Sequence, residues 1–206
     1  MQELKTETSI EVNFSPLLRR YTLEEFWALP EREDHARYNL IGGFLFIVPP
    51  PNPPHGDVAS HMLHSLVRFV VNNNVEGNVH YPHEAIYIES EYATYLEPDL
   101  MYVSKELREK MGAKRTSADL VFEFSSRRTL IYDHTTKADT YLALGVRELW
   151  LVNSFSATIE VRHAGKIGER LVWHVSKYSR GQYAKSRVLE GFEVSVTELF
   201  AGLVPE

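Results

Sequence analysis

A-D-L-V-F-E-F-S-S-R-R-T-L-I-Y-D-H-T-T-K-A-D-T-Y-L-A-L-G-V-R-E-L-W-L-V-N, residues 118–153, decides the fold. Its first part, Ala118 to Ser125, reads as a strand covered on both faces, because Leu120, Val121, Phe122 and Phe124 leave no polar side. Asp133 to Leu144 reads as a helix with Asp133 as N-cap, and Gly145 follows where a C′ glycine belongs. Glu148 to Val152 is a second apolar strand. A strand, a helix and a strand in this order predict a right-handed parallel crossover within one sheet.

Shorter elements lie on either side. Thr22 and Glu25 form a capping-box pattern for a helix that runs to about Leu29 and stops at Pro30. Tyr38 to Val48 reads as a β-hairpin turned at Gly42-Gly43. The stretch V-P-P-P-N-P-P-H-G, residues 48–56, is a rigid loop leading into a helix. That helix, Asp57 to Val71, has apolar residues at Val58, Met62, Leu66 or Val67, and Val70, and ends at Asn72-Asn73-Asn74. Val79 to Ile88 and Leu96 to Val103 read as strands, the second opening with Glu97-Pro98-Asp99. Ser104 caps a short helix through Met111. Extended runs follow near Thr158 to Arg162 and Arg170 to Val175, and Val196 to Phe200 closes the chain with a short helix. Residues 1–20 read as a partly extended N-terminal extension, and residues 21–206 as one α/β domain. Its expected sheet is mixed, antiparallel at the start, with helices on both faces.

The 206 residues are 44% hydrophobic and include 11 Tyr and 10 Phe, enough for a packed core. There is no cysteine, which excludes a disulfide framework, a thiolate metal site and a cysteine nucleophile. The polar amino terminus does not read as a signal peptide, and no apolar run reaches bilayer length, so the expectation is a cytoplasmic protein with no membrane partner. A net charge of −6 argues against sequence-independent coating of nucleic acid. A local basic strip remains open, from Lys110, Lys114 and Arg115 or from Arg127 and Arg128. Phosphate-loop and dinucleotide fingerprints are missing, as is a G-x-S-x-G elbow.

Three residues stand out chemically. Glu123 interrupts an apolar central strand, where an unpaired carboxylate costs several kcal/mol. It is either a metal ligand or one half of a buried ion pair, unless it faces water at a sheet end. Asp99 follows Pro98 at a strand mouth; it is a turn residue or, with Glu123 on a neighbouring strand, part of an oxygen-rich site for Mg²⁺ or Mn²⁺. Lys137 shares a helix face with Tyr141 and Leu144. It either snorkels or directs its ammonium at the two carboxylates. The His61-x-x-His64 pair reads as two solvated helix histidines, since it lacks the other ligands of a zinc site. The aromatic carboxy-terminal part, Trp173, His174, Tyr178 and Tyr183, reads as packing of a β-layer or a subunit interface, with base stacking as the other reading.

Taken together, these stretches resemble a family. Glu123 to Lys137, E-F-S-S-R-R-T-L-I-Y-D-H-T-T-K, is similar to the Glu…Ser…Thr…Asp…Lys block of the Uma-type restriction endonucleases, bacterial proteins of the PD-(D/E)XK nuclease superfamily. Gly145 to Asn153, Glu97 to Leu100, Arg37 to Gly43 and the Pro-Pro-His55-Gly entry resemble further blocks of that family in the same order. The resemblance spans roughly residues 20–202. It implies a restriction-endonuclease-like mixed sheet flanked by helices, acting as a Mg²⁺-dependent (or Mn²⁺-dependent) endonuclease on DNA. Asp99 and Glu123 would hold the metal and Lys137 would be the third catalytic residue, with Asn39, His55 and Asp133 in supporting places. A homodimer would suit double-strand cleavage.

The chain departs from the family at Asn39, where the family usually has Glu, and at Gly42, where it usually has Asp. Arg127 replaces a Pro, and Asn153 an Asp. Asn39 keeps a carbonyl oxygen and loses a charge, so a site that uses this position binds metal more weakly. This motivates a second reading, a weakened nuclease fold that acts as an oligomeric binding or assembly module. A third reading is a phosphoesterase on a nucleotide, which needs a narrow pocket.

Overall fold

The computed structural model describes residues 19–50 and 53–203. The expected N-terminal extension falls almost wholly outside them. Helix α1 (Leu23–Trp27) has the full capping box between Thr22 and Glu25. Strands β1 (Arg37–Ile41) and β2 (Phe44–Val48) form the hairpin, with Gly42 and Gly43 at φ 58° and 83° as a tight turn requires. Helix α2 (His55–Asn72) buries Val58, Met62 and Leu66. This settles the 66-or-67 alternative, because Val67 is exposed. Burial of each such side chain is worth about 1.5–3 kcal/mol.

The remaining strands are β3 (Gly77–His80), β4 (Ile86–Ile88), β5 (Thr94–Leu96), β6 (Leu100–Ser104), β7 (Leu120–Ser125), β8 (Glu148–Asn153), β9 (Thr158–Ile167), β10 (Arg170–Tyr178), β11 (Tyr183–Lys185) and β12 (Glu193–Ser195). Helix α3 (Lys105–Met111) is capped by Ser104. Helix α4 starts as a turn at Leu130–Tyr132, widens to a π-helix over Asp133–Lys137, and continues as an α-helix over Ala138–Ala143. Helix α5 (Val196–Leu199) is the last element.

Three sheets form rather than one. A six-stranded sheet runs β10-β9-β8-β7-β6-β3, a four-stranded antiparallel sheet runs β2-β1-β5-β4, and β11 pairs with β12. Among the described residues only the β7–β8 pair is parallel, bridged by α4 as the crossover reading requires. Two expected strands are each divided between sheets. Val79 to Ile88 yields β3 and β4. Leu96 to Val103 breaks at Glu97-Pro98-Asp99, since Pro98 has no N–H for a ladder.

Alternation along β6, β7 and β8 separates two cores. Leu100, Tyr102, Leu120, Phe122, Phe124, Trp150 and Val152 face α2 and the C-terminal segment. Met101, Val103, Val121, Leu149 and Leu151 face Ala138 and Tyr141 of α4, together with Ile86 and Leu96 of the small sheet. Helices therefore cover both faces, as expected. No helix among the described residues is long and apolar enough to cross a membrane.

Candidate active site

The β6–β7 ladder pairs Leu100 with Phe122, and one further step of the register sets Asp99 opposite Glu123. The ladder itself stops there. Asp99 Oδ2 accepts the Phe124 N–H at 2.9 Å in its place, which holds the carboxylate at the sheet end. His55, on the first turn of α2, brings Nε2 to 3.3 Å from the same oxygen. Glu123 alternates onto the α4 face. Its Oε2 accepts from Lys137 Nζ at 2.6 Å and its Oε1 from Tyr141 OH at 2.5 Å. Lys137 Nζ also lies 3.3 Å from Asp133 Oδ1. Asn39 Nδ2 donates to Tyr132 OH at 3.2 Å, and the Tyr132 ring stacks on Phe46.

All six residues singled out from the sequence (Asn39, His55, Asp99, Glu123, Asp133 and Lys137) line one cavity of about 450 Å³. The snorkelling reading of Lys137 fails, because the residue is 5% exposed and its ammonium points inward at two carboxylates. The N-cap reading of Asp133 fails as well. The helix begins three residues earlier, and Asp133 is helical, buried and the first residue of the π-turn. A turn from Ser126 to Thr129 starts the helix instead, with each backbone N–H held by the other residue's hydroxyl.

The electrostatics follow from enclosure. Burial, reinforced by the charges of Asp99 and Asp133, outweighs Lys137 and pushes the Glu123 carboxyl up to about 8. Burial also pulls on Lys137, but Glu123, Asp133 and Asp99 together hold its ammonium above the usual lysine value. At Asp99 burial acts upward, yet the hydrogen bond and charge of His55, the charge of Lys137 and the Phe124 N–H leave it below the ordinary carboxylate value. Burial and the neighbouring Glu123 raise Tyr141, so its hydroxyl remains a donor. Ionised together, the three carboxylates would outnumber the one ammonium, and the raised Glu123 is the protein's own answer to that excess; a divalent cation would be another.

The donors are hard oxygens, the kind Mg²⁺ and Mn²⁺ select. Asp133 Oδ1 is buried beside them, in ion-pair range of Lys137 Nζ at 3.3 Å but without a hydrogen bond of its own. Among the described residues no three His, Asp or Glu side chains form a complete cage. Mg²⁺ does not need one, since it keeps several waters and uses one or two carboxylates plus substrate phosphate. Asp99 and Glu123 fit as that pair, with Asp133 placed to keep the Lys137 ammonium when Glu123 turns to a metal.

The other sequence candidates lie elsewhere. Lys114 and Arg115 pair with Glu89 and Glu84, so they form no open strip. Arg127 lies over the Phe155 ring. His61 Nδ1 meets the Leu199 carbonyl oxygen at 3.1 Å, and His61 and His64 line a different cavity. Trp173 donates to the Ala138 carbonyl and packs on α4, in keeping with the β-layer reading. Sequence reasoning passed over Tyr81 and His83 at the cavity rim, which carry no periodicity or motif signal, and gave no role to Arg37 and Glu97, which entered only as members of the quoted blocks.

The sequence model of a family described as Uma2, putative restriction endonuclease, matches residues 23–203. The chain belongs to the Uma2 family. The crystal structure of a putative nuclease belonging to DUF820, from Anabaena variabilis ATCC 29413, shares its fold, with a TM-score of 0.67 and 18% identity over 87% of this chain and 97% of that one. No curated protein matches this Uma2 chain significantly.

Proposed function

We propose that this Uma2 protein is a metal-dependent endonuclease that hydrolyses phosphodiester bonds of DNA. The observation that carries the reading is the convergence of Asp99 and Glu123, at paired strand ends, with the buried Lys137 ammonium in one cavity. Mg²⁺ or Mn²⁺, when bound, supplies charge neutralisation at the phosphate and a more acidic water. Asp99 and Glu123 would hold that ion. Asp99 is oriented by the Phe124 N–H and His55, and Glu123 by Tyr141. Lys137 stays charged and offers its ammonium to developing negative charge, while Asp133 fixes its position.

The test is cleavage of plasmid and oligonucleotide DNA with Mg²⁺ or Mn²⁺, by the wild type, Asp99→Ala and Glu123→Gln. The expected outcome is cutting that EDTA abolishes and that each substitution lowers roughly 100-fold or more. Cutting that survives both substitutions would falsify the assignment of the site.

One observation favours a second reading, a weakened nuclease fold that serves binding or assembly. Position 39 holds a neutral amide committed to Tyr132, and both Glu123 oxygens are engaged by the protein itself. A protein of this kind shifts DNA or forms oligomers without metal and takes up no Mn²⁺ at millimolar concentration.

A further inference from the structure

The cavity has two unlike halves. Its floor carries the acids and Lys137, with Glu123, Asp133 and Lys137 each no more than 5% exposed. One wall is apolar, built from Val48, Pro49, Ala59 and Leu63, where β2 leads towards α2. Tyr81, 65% exposed although aromatic, also lines the cavity, together with Pro82 and His83. His83 holds the left-handed backbone conformation at φ 79°, uncommon for a residue with a side chain. This turn brings its ring to Arg37, with Arg37 Nη2 and His83 Nε2 3.2 Å apart, and Arg37 also pairs with Glu97.

These halves ask different things of a ligand. The floor suits a phosphate carried on a metal. An apolar wall beside it gains nothing from a polyanionic backbone, but it does gain from a flat, weakly polar group. An exposed tyrosine at the lip supplies the π-face on which bases stack. An intact duplex keeps its bases stacked inside and presents charged strands outward, so it can satisfy the floor or neither half. An unpaired nucleotide satisfies both, with its base against the wall and Tyr81 and its phosphate over Asp99 and Glu123. The cavity, about 450 Å³, falls within the usual size of pockets that enclose a small ligand.

We infer that the cavity takes an unpaired nucleotide, so that the substrate is single-stranded DNA or a frayed end rather than continuous duplex, with Tyr81 as the stacking residue. This rests on the nuclease reading and narrows its substrate. Tyr81 contacts substrate at the lip, away from the acids, and its exposure makes it dispensable for folding.

The test uses fluorescein-labelled oligothymidylate with phosphorothioate linkages, alone or annealed to its complement, titrated against the full chain with Mn²⁺ and read by anisotropy. Cleavage of the natural phosphodiester strand is followed in parallel. The expected result is single-strand binding roughly tenfold tighter than duplex binding. Tyr81→Ala should remove that preference and Tyr81→Phe keep it. Ala59→Trp, which fills the apolar wall, should block the oligonucleotide while leaving the urea midpoint and Mn²⁺ binding in place. Duplex bound and cut as well as the single strand overturns the inference and leaves the nuclease reading standing. Unchanged single-strand affinity in both Tyr81→Ala and Ala59→Trp does the same. Absence of binding and cutting for both forms of DNA overturns the nuclease reading itself, and this inference with it.

Discussion

Glu148 and Glu123 lie on adjacent parallel strands, both buried and both inside apolar sequence, yet they meet opposite surroundings. Glu148 is fully buried and surrounded by donors. Its Oε1 accepts from Trp150 Nε1 at 2.5 Å, and its Oε2 accepts the N–H groups of Arg187 and Val188 at 2.7 and 3.2 Å, with His163 Nδ1 at 3.0 Å. No second carboxylate competes in that set. Glu148 thus ties the C-terminal segment to the central sheet. Glu123 has one cation and one hydroxyl, but it shares them with Asp99 and Asp133 beside an open cavity. Burial alone therefore does not mark a functional carboxylate. Unresolved like charge next to space is what sets Glu123 apart from Glu148 and makes it the candidate.

The largest expected effect falls on the structural member. Glu148→Ala leaves the indole and the Arg187 N–H without their acceptor, while the Val188 N–H keeps Ser186 Oγ, and should cost about 3–5 kcal/mol of stability in urea denaturation. A loss below about 1 kcal/mol would show that water or a repacked loop replaces the carboxylate.

Glu123→Gln should invert that pattern. Mn²⁺ affinity by calorimetry should fall about 100-fold, which is about 2.7 kcal/mol, while stability stays within about 1 kcal/mol because the amide oxygen can accept from Lys137 while its NH2 donates to the Tyr141 hydroxyl oxygen. A variant that unfolds while still binding metal would make Glu123 another Glu148.

Titration sharpens the contrast without changing a covalent bond. In metal-free protein the folded Glu123 titrates near about 8 against 4.5 for the ordinary group, so between these values the folded state binds more protons than the unfolded one. The stability contributed by Glu123 is full below pH 4.5 and declines as pH rises towards 8. The slope is at most about 1.4 kcal/mol per pH unit. Glu123→Gln should abolish this component, which urea titrations at several pH values in EDTA would reveal; an identical slope in both proteins contradicts it.

The smallest effect belongs to position 39. Asn39→Glu adds a negative charge to the cavity and should tighten Mn²⁺ binding severalfold, about 1 kcal/mol. If calorimetry finds no gain, residue 39 acts through Tyr132 alone.

Much of this was legible in the sequence, unevenly and for physical reasons. The crossover was plain because β7 and β8 are continuous apolar runs and Gly145 closes the helix between them. Asp99, Glu123 and Lys137 showed themselves as polar groups in apolar company, and the spacing of Lys137 and Tyr141 put both on the face that now meets Glu123. Glu148 did not show itself, since a carboxylate at the first position of a strand looks solvated until the distant Arg187 and Val188 fold over it. Asp133 was misplaced because Leu130-Ile131-Tyr132 has no helical signature of its own, and a Ser126–Thr129 turn starts the helix. The partition into separate sheets was hidden too. Pro98 announces a break, but nothing local says which sheet each half joins.

The π-turn at Asp133–Lys137 has a consequence for how this family can change. A π-turn is a regular helix with a residue to spare, and here the wider turn offsets the rotation of about 40° that each four-residue step accrues in an α-helix. Asp133, Lys137 and Tyr141 therefore stay in line towards the acids. Deletion of one residue from this turn would relax it to ordinary helix, leave three helical steps between Asp133 and Lys137, and swing Asp133 around the axis by about 60°. Such a chain would keep Asp133, Lys137 and Tyr141 in its sequence and lose their alignment towards the acids. Along this segment the arrangement depends on length as strictly as on identity, and a relative with a gap here should keep the architecture without this alignment of side chains.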